Sequence, residues 1–116
     1  MDTFTLVRPG HLNHFGYLFG GQLLKWVDES AWLYVTRTYP EKMFVTRAMN
    51  NVEFKTRVES GSILRFLVTE ASQGQTSLTC SVKVLAQYPK TSQEKEVFSN
   101  EITFVRINED GEKIPL

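Results

Sequence analysis

Residues 13–29 read NHFGYLFGGQLLKWVDE, and this stretch decides how the rest of the chain is read. Gly16, Gly20 and Gly21 are interleaved with Phe15, Tyr17 and Phe19, and then the period changes. Gly20, Leu23, Leu24, Val27, Ala31, Tyr34 and Val35 recur at helical spacing, and Pro40 ends the pattern. The spacing predicts one helix over residues 20–39. Upstream, Thr3 to Val7 alternates weakly and predicts a short strand, stopped by Pro9-Gly10; residues 10–19 read as a loop.

Downstream the chain turns to strands. Residues 43–54 are rich in Val, Thr, Met and Phe, and residues 63–70 alternate. Gln73-Gly74-Gln75 reads as a turn, residues 76–88 alternate again, and residues 97–107 follow before Asn108-Glu109-Asp110-Gly111. A single helix must bury its apolar stripe, and a sheet must cover one face. The fold class is therefore α+β, with one long central helix wrapped by a curved antiparallel sheet. Such a layer leaves sheet edges uncovered, which predicts a homodimer at least.

The bulk numbers narrow the function. A length of 116 residues suits one domain over residues 1–116. With 13 basic and 13 acidic side chains the net charge is zero, which argues against a nucleic-acid surface. One cysteine, Cys80, excludes a disulfide framework and suits a reducing, cytoplasmic setting; on its alternating strand it reads as a small buried hydrophobe. No apolar run approaches the ~20 residues that span a bilayer, so no membrane partner is expected. His11 and His14, three apart in the loop, read as polar loop residues, and no metal is expected.

Two readings stand for Gly20-Gly21 at the start of a helix. Glycine supplies unusual backbone angles for a tight entry. Alternatively, missing side chains let a ligand approach the first N–H groups, which lack intrahelical partners and carry partial positive charge. Those groups suit a carbonyl oxygen that becomes negative during acyl transfer. Asp28 bears on the choice. At ~100° per residue it falls beside Leu24 and Val35, on the margin of the apolar stripe, while Lys25 and Glu29 point outward. A surface Asp is ordinarily just solvated; on a half-buried edge it suits a general base or nucleophile.

Asn13, Gly16, Leu18-Phe19-Gly20-Gly21, Leu24 and Val27-Asp28 resemble the motif of the acyl-CoA thioesterases of the hotdog fold. Later segments are similar too: Val45-Thr46, Val52-Glu53-Phe54, Val58-Glu59-Ser60-Gly61, Gly74-Gln75-Thr76-Ser77 and Thr103-Phe104-Val105. The resemblance implies a hotdog fold with five or six strands. It also implies paired subunits, as a homodimer or a dimer-based tetramer or hexamer, with sites between them. By the same resemblance Asp28 matches the catalytic carboxylate, Asn13 the catalytic amide, and Gly21 the helix-start N–H that holds the thioester carbonyl. Gly20, Phe19, Arg57 and Ser77 match substrate-contacting positions. The implied activity is hydrolysis of an acyl-CoA, with no cofactor, since coenzyme A is part of the substrate. Asp28 would activate a water or attack directly to give an anhydride.

Three features depart from the pattern. Gly10-His11-Leu12-Asn13-His14 faintly resembles a second hotdog branch, but Val7, Arg8 and Pro9 stand where that branch has its catalytic Asp. Many relatives carry a basic pair near the end of the fourth strand; here the positions read Leu85-Ala86, with Lys83, Lys90 and Lys95 nearby. Arg57 stands where relatives often have proline, and reaches toward a phosphate in the same reading. Trp26, Trp32, Phe15, Tyr17 and Phe19 read either as an acyl pocket or as core and dimer interface. The competing functions are a non-hydrolytic hotdog module that binds an acyl thioester or partner protein, an acyl-carrier-protein thioesterase, and, more weakly, a dehydratase.

Overall fold

The structure is a computed structural model that describes all 116 residues. Strand β1 (Asp2–Leu6) leads through a 3-10 turn at Pro9–His11 to helix α1 (Gly20–Thr38). Strands β2 (Met43–Phe54), β3 (Ile63–Gln73), β4 (Ser77–Gln87) and β5 (Glu94–Ile107) follow. They form one antiparallel sheet in the order β1-β3-β4-β5-β2.

Period-two alternation sends one set of side chains to the helix and the other outward. Leu64, Phe66 and Val68 of β3, Leu78, Cys80 and Val82 of β4, and Phe98, Ile102 and Phe104 of β5 are all buried. From the helix, Leu23, Val27, Ala31 and Val35 join them, at the positions that the 3.6-residue period selects. Each fully buried Val, Leu or Phe stabilises by about 1.5–3 kcal/mol. Val35 also accepts the N–H of Tyr39 that closes the helix, 2.9 Å away, one residue before Pro40.

Two strands run longer than their apolar patterns predict. β3 continues from Glu70 to Gln73 past an irregularity between Glu70 and Ser72, and β5 begins at Glu94 rather than Val97. The start of β5 is held by charge instead of burial. Arg65 of β3 donates to both Glu94 oxygens, at 2.9 and 2.8 Å, and Lys55 pairs with Glu96. The 3-10 turn lies within the segment read as loop.

β2 is an edge strand, bonded only to β5, and its ladder is broken twice, between Thr46 and Ala48 and between Asn50 and Glu53. Asn51, in the second break, takes a left-handed φ of 53°. Such bulges re-aim side chains. No helix is long and apolar enough to cross a membrane.

Candidate active site

The loop before α1 is built around Asn13. Its Oδ1 accepts from the N–H of Phe15 at 2.9 Å and of Tyr17 at 3.2 Å, and its carbonyl accepts from Gly16 at 3.0 Å. Gly16 has φ +87°, a conformation that favours glycine. The turn therefore uses the oxygen of the Asn13 amide and leaves its NH2 group to donate elsewhere.

The helix begins without a capping side chain. Phe19 occupies the cap position, its own N–H donates to His11 at 3.0 Å, and its ring offers no acceptor. The Leu23 N–H reaches the Phe19 carbonyl at 3.1 Å, so the amides of Gly20, Gly21 and Gln22 are the orphan donors. At Gly21 any larger side chain would have to turn the exposed Phe19 ring aside. A Cβ there would stand 2.8 Å from the Phe19 ring, whereas at Gly20 the nearest atom, on Phe54, is 3.4 Å away.

Asp28 is half-buried, as its place on the stripe margin predicts. Its Oδ1 accepts a 2.6 Å hydrogen bond from the Thr46 hydroxyl. Thr46 lies two residues after buried Phe44, in the regular part of β2 before its first bulge, and so shares the helix-facing side of the strand. The sequence reading missed this contact. Val45-Thr46 was visible as part of a motif, but a Thr in a strand reads as an ordinary β-former.

A cleft of about 500 Å³ opens beside the helix start, lined by Asn13, Tyr17, Gly20, Leu23, Phe54 and Arg57 among others. It thus gathers three of the expected site residues: Asn13, Gly20 and Arg57. Asp28, Gly21, Phe19 and Ser77 do not line it. Asp28 lies seven residues past Gly21, about 10 Å along the axis at 1.5 Å per residue. Thr46 and Leu78 both pair with Phe104, so Asp28, Thr46 and Ser77 sit toward one end of the sheet. Phe54, paired with Phe98, marks the other end, with Gly20 and Asn13. One chain therefore does not bring its carboxylate to its own helix-start amides, contrary to the simplest sequence reading.

The aromatics divide likewise. Phe15 and Tyr17 line the cleft. Trp26 packs edge-on against His11, with centroids 4.7 Å apart, and Trp32 donates to the Phe44 carbonyl at 3.3 Å. Cys80 is fully buried, and burial, aided by nearby Glu70, pushes its thiol up to about 12. It stays protonated and is no nucleophile.

A single central helix wrapped by a five-stranded antiparallel sheet is the hotdog fold. The thioesterase superfamily model matches residues 15–92, and the chain belongs to that superfamily. Protein VdlD of Helicobacter pylori is 33% identical over 111 residues, 96% of this chain. This chain spans 63% of the length of VdlD. A hexameric hotdog fold thioesterase of Campylobacter jejuni superposes with a TM-score of 0.88 at 29% identity, covering 98% of this chain and 87% of that one. Acyl-CoA hydrolase from Bacillus cereus gives a TM-score of 0.91 at 27% identity, covering 98% of this chain and 69% of that one.

Proposed function

We propose that this protein hydrolyses acyl-CoA thioesters to a carboxylic acid and free coenzyme A, at sites shared between two copies of the chain. The observation that carries the reading is the tethered carboxylate. Thr46 occupies one lone pair of Asp28 Oδ1 and fixes the plane of the group, leaving Oδ2 to act. A carboxylate with a purely solvated role has no use for such an orienting bond.

The sheet suggests how the halves meet. The outer edge of β2 is unpaired, and a two-fold axis there pairs the strand antiparallel with its own copy. Antiparallel pairing sets the Asp28–Thr46 end of one chain against the Asn13–Gly20–Phe54 end of the other. Ser77 then belongs to the carboxylate half, and Phe19, Gly20 and Arg57 to the cleft half. The exposed Met43, Val45, Val52 and Phe54 of β2 gain cover in the same step. The resulting dimer is the unit from which a tetramer or hexamer is built.

In this site the thioester carbonyl oxygen accepts from the Gly21 N–H, where the helix dipole stabilises developing negative charge. Asn13 presents its free NH2 to the substrate or the attacking water. Asp28 takes a proton from that water, which adds to the carbonyl carbon; the C–S bond then breaks and the thiolate leaves with the electron pair. Direct attack by Asp28 Oδ2, giving an anhydride that water opens, fits the same geometry. A thiolate leaves readily, so neither route needs a histidine acid.

Thiol release from a panel of acyl-CoA esters tests the proposal. Wild type turns over at least one of the short, medium or long chains. Asp28→Ala lowers kcat by about 100-fold or more with the unfolding midpoint unchanged. A wild type inert across the panel removes the hydrolase reading in favour of a module that only binds.

A further inference from the structure

One buried side chain weakens the core instead of holding it. Asn100 of β5 is 3% exposed, and both its Nδ2 and its Oδ1 lack a hydrogen-bond partner. Two other buried polar side chains are paired: the Ser30 hydroxyl lies 3.4 Å from that of Thr3, and the Thr103 hydroxyl 3.0 Å from that of Thr79. Ser62, just before β3, leaves a single hydroxyl unpaired. A buried polar group without a partner is a net cost to folding, and Asn100 carries that cost at both ends of its amide.

Strand pairing places the amide. Asn100 stands opposite Val82 and Phe98 opposite Val84, and both valines are fully buried. Residues paired directly across a ladder share a face, so Asn100 and Phe98 both point to the helix side. On its other side Phe98 is paired with Phe54, with ring centroids 5.1 Å apart. Phe54, with Gly20 and Leu23, lines the cleft at the helix start. Asn100 is therefore the next inward side chain along β5 beyond that wall, two residues or about 7 Å further on. β2 gives it no neighbour in register, because the second break in its ladder falls between the Asn50–Glu101 and Glu53–Ser99 pairs.

We infer that Asn100 ends the acyl pocket and selects acyl groups that carry a hydroxyl over plain alkyl ones. The inference rests on the thioesterase reading. With the thioester carbonyl at the Gly21 N–H, the acyl chain runs inward between Leu23 and Phe54, and its hydroxyl reaches the level of Asn100. A hydroxyl both donates and accepts, and so meets Oδ1 and Nδ2 together. Phe98, Val82 and Ile102 beside the amide are apolar and offer that hydroxyl no other partner. A plain alkyl chain leaves both amide groups unpaired, the situation in which a site rejects the analogue that lacks the hydroxyl.

The test compares kcat/KM for hexanoyl-CoA, 3-hydroxyhexanoyl-CoA and 6-hydroxyhexanoyl-CoA in wild type, Asn100→Leu and Asn100→Ala. The expected result is a wild-type preference of about 10-fold or more for one of the hydroxy esters, the effect of one well-placed hydrogen bond. The carbon that bears the favoured hydroxyl measures how deep Asn100 lies. Both variants bring the ratio of hydroxy ester to plain ester close to one. Leucine fills the volume of the amide without its polar groups, so Asn100→Leu is expected to unfold at or above the wild-type midpoint; Asn100→Ala decides the ratio if leucine does not fit. The absence of a preference in wild type overturns the inference, as does a preference that survives in the variants. An equal loss on all three esters also overturns it, since it marks Asn100 as a structural residue. A wild type that hydrolyses none of the three defeats the thioesterase reading by itself. The intact esters then serve as ligands in calorimetry: a tighter Kd for a hydroxy ester, abolished in the variants, upholds the role of Asn100, and equal Kd values overturn it.

Discussion

β2 and β4 are near-equal strands of one sheet with opposite surroundings. β4 has eleven residues and hides every second one: Leu78, Cys80, Val82, Val84 and Ala86. β2 has twelve and hides only Phe44. Yet β2 is not polar. Met43, Val45, Val52 and Phe54 are 49%, 43%, 42% and 52% exposed. β4 is flanked by strands on both sides and roofed by the helix, so its apolar residues are satisfied within the chain. β2 carries apolar surface and an open edge that the chain alone leaves uncovered, the condition that calls for a second copy. The irregular strand also reaches both halves of the candidate site: Thr46 donates to Asp28, and the far end supplies Phe54 to the cleft.

The contrast predicts where substitutions act. Leu78→Ala in β4 removes a core side chain that is 1% exposed. Its expected cost is about 2–5 kcal/mol of unfolding free energy, read by chemical denaturation, with substrate preference unchanged. A cost near zero would mean that β4 is less tightly enclosed than its burial implies. Thr46→Val in β2 gives the opposite signature. It deletes the 2.6 Å bond to Asp28 while keeping the branched shape that suits a strand. Loss of a hydrogen bond to a charged group, about 1.5–3 kcal/mol, lowers kcat by about 10-fold to 100-fold and barely moves the unfolding midpoint. An unchanged kcat would show that the carboxylate needs no orienting hydroxyl.

Much of the fold was legible in the residues because it is carried by periodicity. The helix was read as residues 20–39 and ends at Thr38; β2 was read at its observed limits. The polar ends were not legible. Glu94-Lys95-Glu96 carry no apolar alternation, and they join β5 through cross-strand pairing with Arg65 and Lys55. The site was half legible. The place of Asp28 on the helix follows from 100° per residue, and its half-buried margin follows with it. Thr46 was hidden because alternation gives the face it shares with Phe44, and says nothing of which helix residue lies opposite. The separation of Asp28 from the cleft of its own chain was hidden for another reason. Helical phase gives direction around an axis, and says nothing of which copy of the chain lies opposite.

The shared site is the central claim, and complementation measures it most directly. Asn13→Ala and Asp28→Ala chains are each expected to be inactive on the acyl-CoA that wild type turns over best. When the two are unfolded together and refolded, half of the random dimers are mixed, and each mixed dimer holds one intact site of two. The account predicts recovery of about a quarter of wild-type activity, as two-fold symmetry requires. If mixed oligomers form, shown by native mass spectrometry, and activity stays at the level of the single variants, Asn13 and Asp28 do not meet across the interface.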